Sequence, residues 1–193
     1  MENFIPRKYK DTETNQIVSF DVLLDNKISI ILGEPASGKT EQLKNFKENA
    51  ELIDLINLDV SSQIKADTNY VLLDSIDEAL IGVNNFKQLS HKIKNFISNC
   101  MANNEDIKFI ITCRQLEWNE YFNDDLKKLD STLKVYQIQD LTKEDISYLL
   151  KHKKINEDEF WCFITKNYLQ DLLKNILIVK ILFITIKKPK MKQ

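Results

Sequence analysis

Eight residues, Gly33-Glu34-Pro35-Ala36-Ser37-Gly38-Lys39-Thr40, constrain this chain more than any other stretch. They follow the apolar run Ile28-Ser29-Ile30-Ile31-Leu32 and fit the phosphate-binding pattern G-x-x-x-x-G-K-[ST]. The chain has 193 residues and only 3 glycines, and two of the three occupy the positions where this loop calls for glycine. The spacing has a physical basis. Gly33 and Gly38 are expected to let the backbone turn tightly and point successive N–H groups of the loop inward, making an anion nest. A helix after the loop adds the positive end of its dipole. Lys39 is expected to reach the β- and γ-phosphates, and the Thr40 hydroxyl to ligate Mg²⁺. The competing explanation is an ordinary glycine-bearing turn between a strand and a helix.

Around the loop, apolar runs alternate with amphipathic stretches, the pattern of a parallel α/β sheet. Strands are predicted over 27–32, 52–58, 70–74, 107–112 and 134–138, and helices over about 38–48 and 84–101. In the second helix Phe86, Leu89, Ile93, Phe96, Ile97 and Cys100 fall on one stripe, with His91 off it and facing solvent. After Asp140 the pattern is helical only. Thr142 with Asp145 forms a capping box for a helix through Leu150, followed by helices over about 157–166 and 169–186. The expected organisation is a nucleotide-binding domain over 1–140 and a partial helical subdomain over 141–193.

Composition narrows the function classes. Hydrophobic residues are 43% and charged residues 29%, as in a globular protein with one sizeable core. A net charge of −2 gives no field favouring nucleic acid. Cys100, Cys113 and Cys162 are odd in number, form no C-x-x-C, and have neither His91 nor His152 near a cysteine pair. A reducing cytoplasm fits that usage better than a disulfide framework or a zinc site. The N-terminus has no apolar signal region. The apolar run 176–186 is broken by Lys180 and falls well short of the ~20 residues of a membrane span, so a buried helix is expected there.

Two further segments complete a nucleotide site. In Tyr70-Val71-Leu72-Leu73-Asp74-Ser75-Ile76-Asp77-Glu78, an apolar strand delivers Asp74 at its C-terminal edge, where parallel sheets bind ligands. Asp74 is the candidate outer ligand of Mg²⁺, and Asp77 and Glu78 can orient or deprotonate a water. An acidic helix N-terminus after a strand would look the same. In Ile107-Lys108-Phe109-Ile110-Ile111-Thr112-Cys113-Arg114, a second buried strand ends in an arginine suited to sensing the γ-phosphate. The alternative is a surface arginine paired with Glu117 or Glu120.

Together these three segments resemble the NACHT-type NTPases of the STAND class of ATP-switch proteins. Asp74-Ser75-Ile76-Asp77-Glu78 is similar to that family's second motif, with a small residue directly after the first Asp. Thr112 and Arg114 match its Thr-x-Arg, and Phe4-Ile5-Pro6-Arg7 is similar to the segment that lines adenine, which assigns Arg7 to the nucleotide. The resemblance spans about 3–150. It implies a P-loop NTPase three-layer sandwich with a five-stranded parallel sheet in the order 5-1-4-3-2. It also implies ATP or ADP with Mg²⁺ as cofactors, slow hydrolysis with Glu78, or else Asp77, as base, and Arg114 as sensor. Relatives are signalling switches, many of them in bacterial anti-phage defence. They carry Asn-Pro where this chain has Asn175-Ile176, and they continue into a winged helix and a repeat-rich sensor. The expectation is therefore a fragment, a truncated product or a single-module ATPase.

Other classes compete. Thr142-Lys143-Glu144-Asp145 fits the guanine-reading [NT]-K-x-D pattern of a GTPase, but the same residues make the capping box. A non-catalytic interaction module would use the apolar stretch 169–186 to bind a protein partner or a second copy. A DNA remodeller ranks below both, since no basic groove is evident.

Overall fold

The computed structural model describes residues 4–58, 64–81, 86–118 and 120–187. By their internal contacts they form two compact units. One comprises 6–35 and 39–139; the other comprises, among the described residues, 4–5, 36–38 and 140–187.

Along the chain the first unit runs β1 (Tyr9–Asp11), β2 (Ile17–Val18), α1 (Phe20–Leu23), β3 (Ile28–Leu32), α2 (Lys39–Lys44), β4 (Ala50–Asp54), β5 (Tyr70–Asp74), α3 (Ile76–Ile81), α4 (Phe86–Asn103), β6 (Lys108–Cys113), α5 (Glu120–Lys127) and β7 (Lys134–Ile138). The strands form one seven-stranded sheet in the order β2-β1-β7-β3-β6-β5-β4. The neighbours from β7 to β4 pair parallel, whereas β1 pairs antiparallel with both β7 and β2. The sheet is therefore mixed, and the expected five-stranded sheet is corrected in strand count and overall order. Two short N-terminal strands extend it past β7. They pair through Tyr9↔Ile138 and Tyr9↔Val18, and the turn between them is closed by Asp11 Oδ1, which accepts from the N–H groups of Glu13 (2.7 Å) and Thr14 (2.9 Å).

The central strands β3, β5 and β6 are buried on both faces, which explains why they lack polar alternation. Ile28, Ile30, Leu32, Val71, Leu73, Phe109 and Ile111 pack into one cluster, covered by Leu89, Ile93, Phe96 and Ile97 of α4 and by Phe122 and Leu126 of α5. Ile31, Leu72, Ile110, Tyr136 and Ile138 point into the opposite cluster with Tyr9, Leu23 and Leu43. Each fully buried Ile, Leu or Phe contributes about 1.5–3 kcal/mol relative to exposure. His91 is exposed on α4, off the apolar stripe, while burial beside Glu51 pushes the Cys100 thiol up to about 11.

Two elements are shorter than the sequence pattern predicts. The helix expected to 48 ends at Lys44, because Phe46 turns inward to stack between Phe20 and Tyr70, with ring centroids 5.6 and 5.2 Å away. The strand expected to 58 ends at Asp54. That carboxylate accepts from Ile56 N–H at 3.0 Å and starts a 3₁₀ turn over Leu55–Asn57.

The second unit holds α6 (Lys143–Lys153), α7 (Glu157–Lys166) and α8 (Ile176–Lys187) around Ile146, Leu149, Leu150, Phe160, Ile164, Val179 and Phe183. The single helix expected over 169–186 is divided. A 3₁₀ turn covers Gln170–Lys174, and Asn175 Oδ1 then caps α8 by accepting from Leu177 N–H at 2.9 Å. Asn is a strong helix starter, so it restarts the helix here. Among the described residues, no helix is long and apolar enough to cross a membrane.

Candidate functional site

The site is built from the C-terminal edge of the parallel strands. β6 lies between β3 and β5, with Leu32 level with Cys113 and Leu73 level with Ile111. The loop starting at Gly33, the Arg114 turn and the Asp74-Ser75 turn thus leave three consecutive strands at the same edge. With strands about 4.8 Å apart, the outer two exits are about 10 Å apart.

The loop 33–40 joins β3 to α2 as the motif requires. Glycine freedom is used at one of the two expected positions: Gly38 has φ 97°, whereas Gly33 is not among the residues with positive φ. Gly33 is instead buried, with its N–H donating to the Cys113 carbonyl at 3.2 Å. The second left-handed residue of the loop is Ala36, at φ 58°. Glu34, Pro35 and Ala36 are exposed; Ser37, Gly38, Lys39 and Thr40 are half-buried. The Lys39 ammonium folds back over the loop and donates to the carbonyls of Gly33 (2.6 Å) and Glu34 (3.1 Å). An ammonium held by neutral carbonyls at the loop is well placed to exchange them for anionic oxygens, which bind it more strongly.

Asp74 is 8% exposed at the end of β5. Its Oδ1 accepts from the Thr112 hydroxyl at 2.6 Å, and the same hydroxyl accepts from Ser75 N–H at 2.9 Å. Ser75 sits in the left-handed region at φ 64°. Glu78 is exposed on α3, and its N–H donates to the Ser75 carbonyl at 3.1 Å. The Asp77 side chain lies outside the described part of the structure. Arg114 is half-buried directly after β6, and its carbonyl accepts from Trp118 N–H at 3.1 Å. Arg7 is 5% exposed; its backbone N–H donates to Gln42 Oε1 at 3.1 Å, and its guanidinium donates to the Gln139 carbonyl.

The donor set fits a hard cation only in part. Among the described residues, no cluster of three His, Cys, Asp or Glu could hold a metal. Asp74 and Thr40 offer one carboxylate and one hydroxyl, which suits Mg²⁺ because that ion keeps several waters and takes further oxygens from substrate phosphates. Sequence reasoning missed two residues, Thr112 as a partner of Asp74 and Gln42 as a partner of Arg7. A lone polar residue near the end of an otherwise apolar strand was the available signal for the first.

Thr142 and Asp145 do form the capping box: Thr142 Oγ1 accepts from Asp145 N–H at 3.3 Å, and Asp145 Oδ2 accepts from Thr142 N–H at 2.8 Å. No family model matches the chain, and no curated protein matches it.

Proposed function

We propose that this chain is a P-loop NTPase of NACHT type that binds Mg²⁺ with ATP or ADP, hydrolyses ATP slowly and acts as a switch. The observation that carries this reading is the loop 33–40 standing between β3 and α2, with Asp74 and Arg114 leaving the next strands at the same sheet edge. Bound Mg²⁺ would neutralise phosphate charge. Lys39 would bind the phosphates, Thr40 and Asp74 would hold the metal, Glu78 or Asp77 would accept a proton from water, and Arg114 would sense the γ-phosphate.

Calorimetry of wild type and Lys39→Ala with ATP, ADP and GTP in Mg²⁺ tests the reading. The expected result is adenine-nucleotide binding that the variant loses. Equal binding by both proteins rules out the assignment of Lys39, and preference for GTP would favour a GTPase. The capping box already accounts for the guanine-like motif.

One observation favours a second reading, an interaction module. On α8 the side chains of Leu177, Ile181 and Ile184 lie on one stripe and are 50%, 52% and 62% exposed. Such a face suits a protein partner or self-association. Concentration-dependent sedimentation that Ile181→Glu abolishes would support it, and a monomer at all concentrations would remove self-association.

A further inference from the structure

We infer that Thr112 is a positioning residue for Asp74, and that the end of β6 braces the metal-binding turn against the phosphate loop. This inference rests on the nucleotide reading above. It stands on three bonds among residues that sequence motifs treat separately.

Thr112 is 0% exposed. A threonine hydroxyl has one hydrogen to give and lone pairs to accept with. Here the hydrogen goes to Asp74 Oδ1 at 2.6 Å, and a lone pair takes the Ser75 N–H at 2.9 Å. The first bond fixes the orientation of a largely buried carboxylate and satisfies one of its acceptor oxygens. The second holds Ser75 at φ 64°, a conformation that a residue with a Cβ otherwise avoids. One residue further along β6, the Cys113 carbonyl accepts the Gly33 N–H at 3.2 Å. Thr112 and Cys113 face opposite sides of the strand, yet between them they hold the first residue of the phosphate loop and the residues at the end of β5. Arg114 is next in sequence. The Thr112 hydroxyl therefore adds a direct link from Asp74 to the strand end that carries Arg114, just past the Leu73↔Ile111 register pair.

The distinguishing variants are Thr112→Val, which keeps the shape and removes both hydroxyl bonds, and Thr112→Ser, which keeps the hydroxyl. ATP affinity is measured by calorimetry with Mg²⁺ and with EDTA. The expected result is that Thr112→Val loses about 10-fold or more of the affinity gained from Mg²⁺, the usual cost of removing an outer partner of a metal ligand. Thr112→Ser keeps the gain, and binding in EDTA is the same in all three proteins. An undiminished Mg²⁺ gain in Thr112→Val overturns the inference while leaving the nucleotide reading intact. A wild type that binds no nucleotide overturns that reading instead. The brace itself is then decided by amide hydrogen exchange. Ser75 N–H is expected to exchange at least about 10-fold faster in Thr112→Val than in Thr112→Ser, with Ile110 N–H unchanged as a control for global opening. Equal Ser75 exchange in the two variants overturns it.

Discussion

The backbone N–H of Arg7 donates to the side-chain Oε1 of Gln42 at 3.1 Å, across 35 residues of sequence. Tyr9 Oη donates to the same oxygen at 3.5 Å, and Gln42 is 5% exposed. One amide oxygen thus fastens the segment that enters the sheet to the helix that follows the loop 33–40. Burial pushes the Tyr9 phenol well above its ordinary range, outweighing the opposing charge of Arg7, so the phenol remains a donor at any physiological pH. Gln42→Leu keeps the volume but removes the acceptor. It is expected to lower stability by about 1–3 kcal/mol, the usual penalty for stranding a buried donor. Urea denaturation provides the check, and an unchanged midpoint would mean that the contact contributes nothing.

Glu78→Gln separates binding from chemistry. The amide keeps the side chain's shape but cannot take up a proton, so nucleotide binding should stay within about twofold while turnover falls by about 10²-fold or more. Phosphate release measured alongside calorimetry tests both halves. If turnover survives, Asp77 becomes the candidate base.

Asp145→Asn distinguishes the helix cap from a guanine reader. Asp145 accepts from Thr142 N–H, so its replacement should cost about 0.5–1 kcal/mol of stability and leave the ratio of ATP to GTP affinity unchanged. A shift of that ratio towards ATP would show that Asp145 reads the base.

Asp125 should shape the acid limb of stability. The Lys128 ammonium at 2.8 Å holds its carboxyl below the usual range; the Ser90 hydroxyl at 2.9 Å acts in the same direction, and burial opposes them. The folded value is depressed, so the contribution is present above the unfolded value of about 3.9 and is lost as pH falls through the folded one. Asp125→Asn should lower Tm by about 2–4 °C at pH 7, and the gap to wild type should close as pH falls through the depressed folded value. A gap independent of pH would assign the effect to packing.

Helix ends without glycine leave stability to be gained. Lys154 (φ 54°) and Tyr168 (φ 55°) occupy left-handed positions at the ends of α6 and α7. Ile155 N–H donates to the Leu150 carbonyl, and Leu169 N–H donates to that of Ile164. These are the bonds of helix ends that ordinarily carry glycine. Lys154→Gly and Tyr168→Gly should each raise stability by about 1 kcal/mol. Loss of stability in either would mean that the side chain packs more usefully than its exposure suggests.

With few glycines in the chain, these conformations fall to Asn15, Ala36, Ser75, Lys154 and Tyr168, and nothing in the sequence pattern marks them. Much of the parallel sheet was legible: the buried strand Tyr70–Asp74 reads as a continuous apolar run, and Lys134–Ile138 also falls where the pattern predicts it. The hairpin of β1 and β2 was not legible. Strands of three and two residues are too short to show a period, and pairing with β7 selects them from more than a hundred residues away.

The sequence by itself determined the chemistry available at one sheet edge. Spacing alone puts Gly38, Lys39 and Thr40 after a strand, because a glycine at φ 97° and the side chains beside it are local properties of the chain. Tertiary structure decided which residues hold that edge together. Thr112 meets Asp74 across 38 positions, and Gly33 meets Cys113 on the neighbouring strand. Such bonds depend on strand order and register, which non-local burial fixes and no local period records.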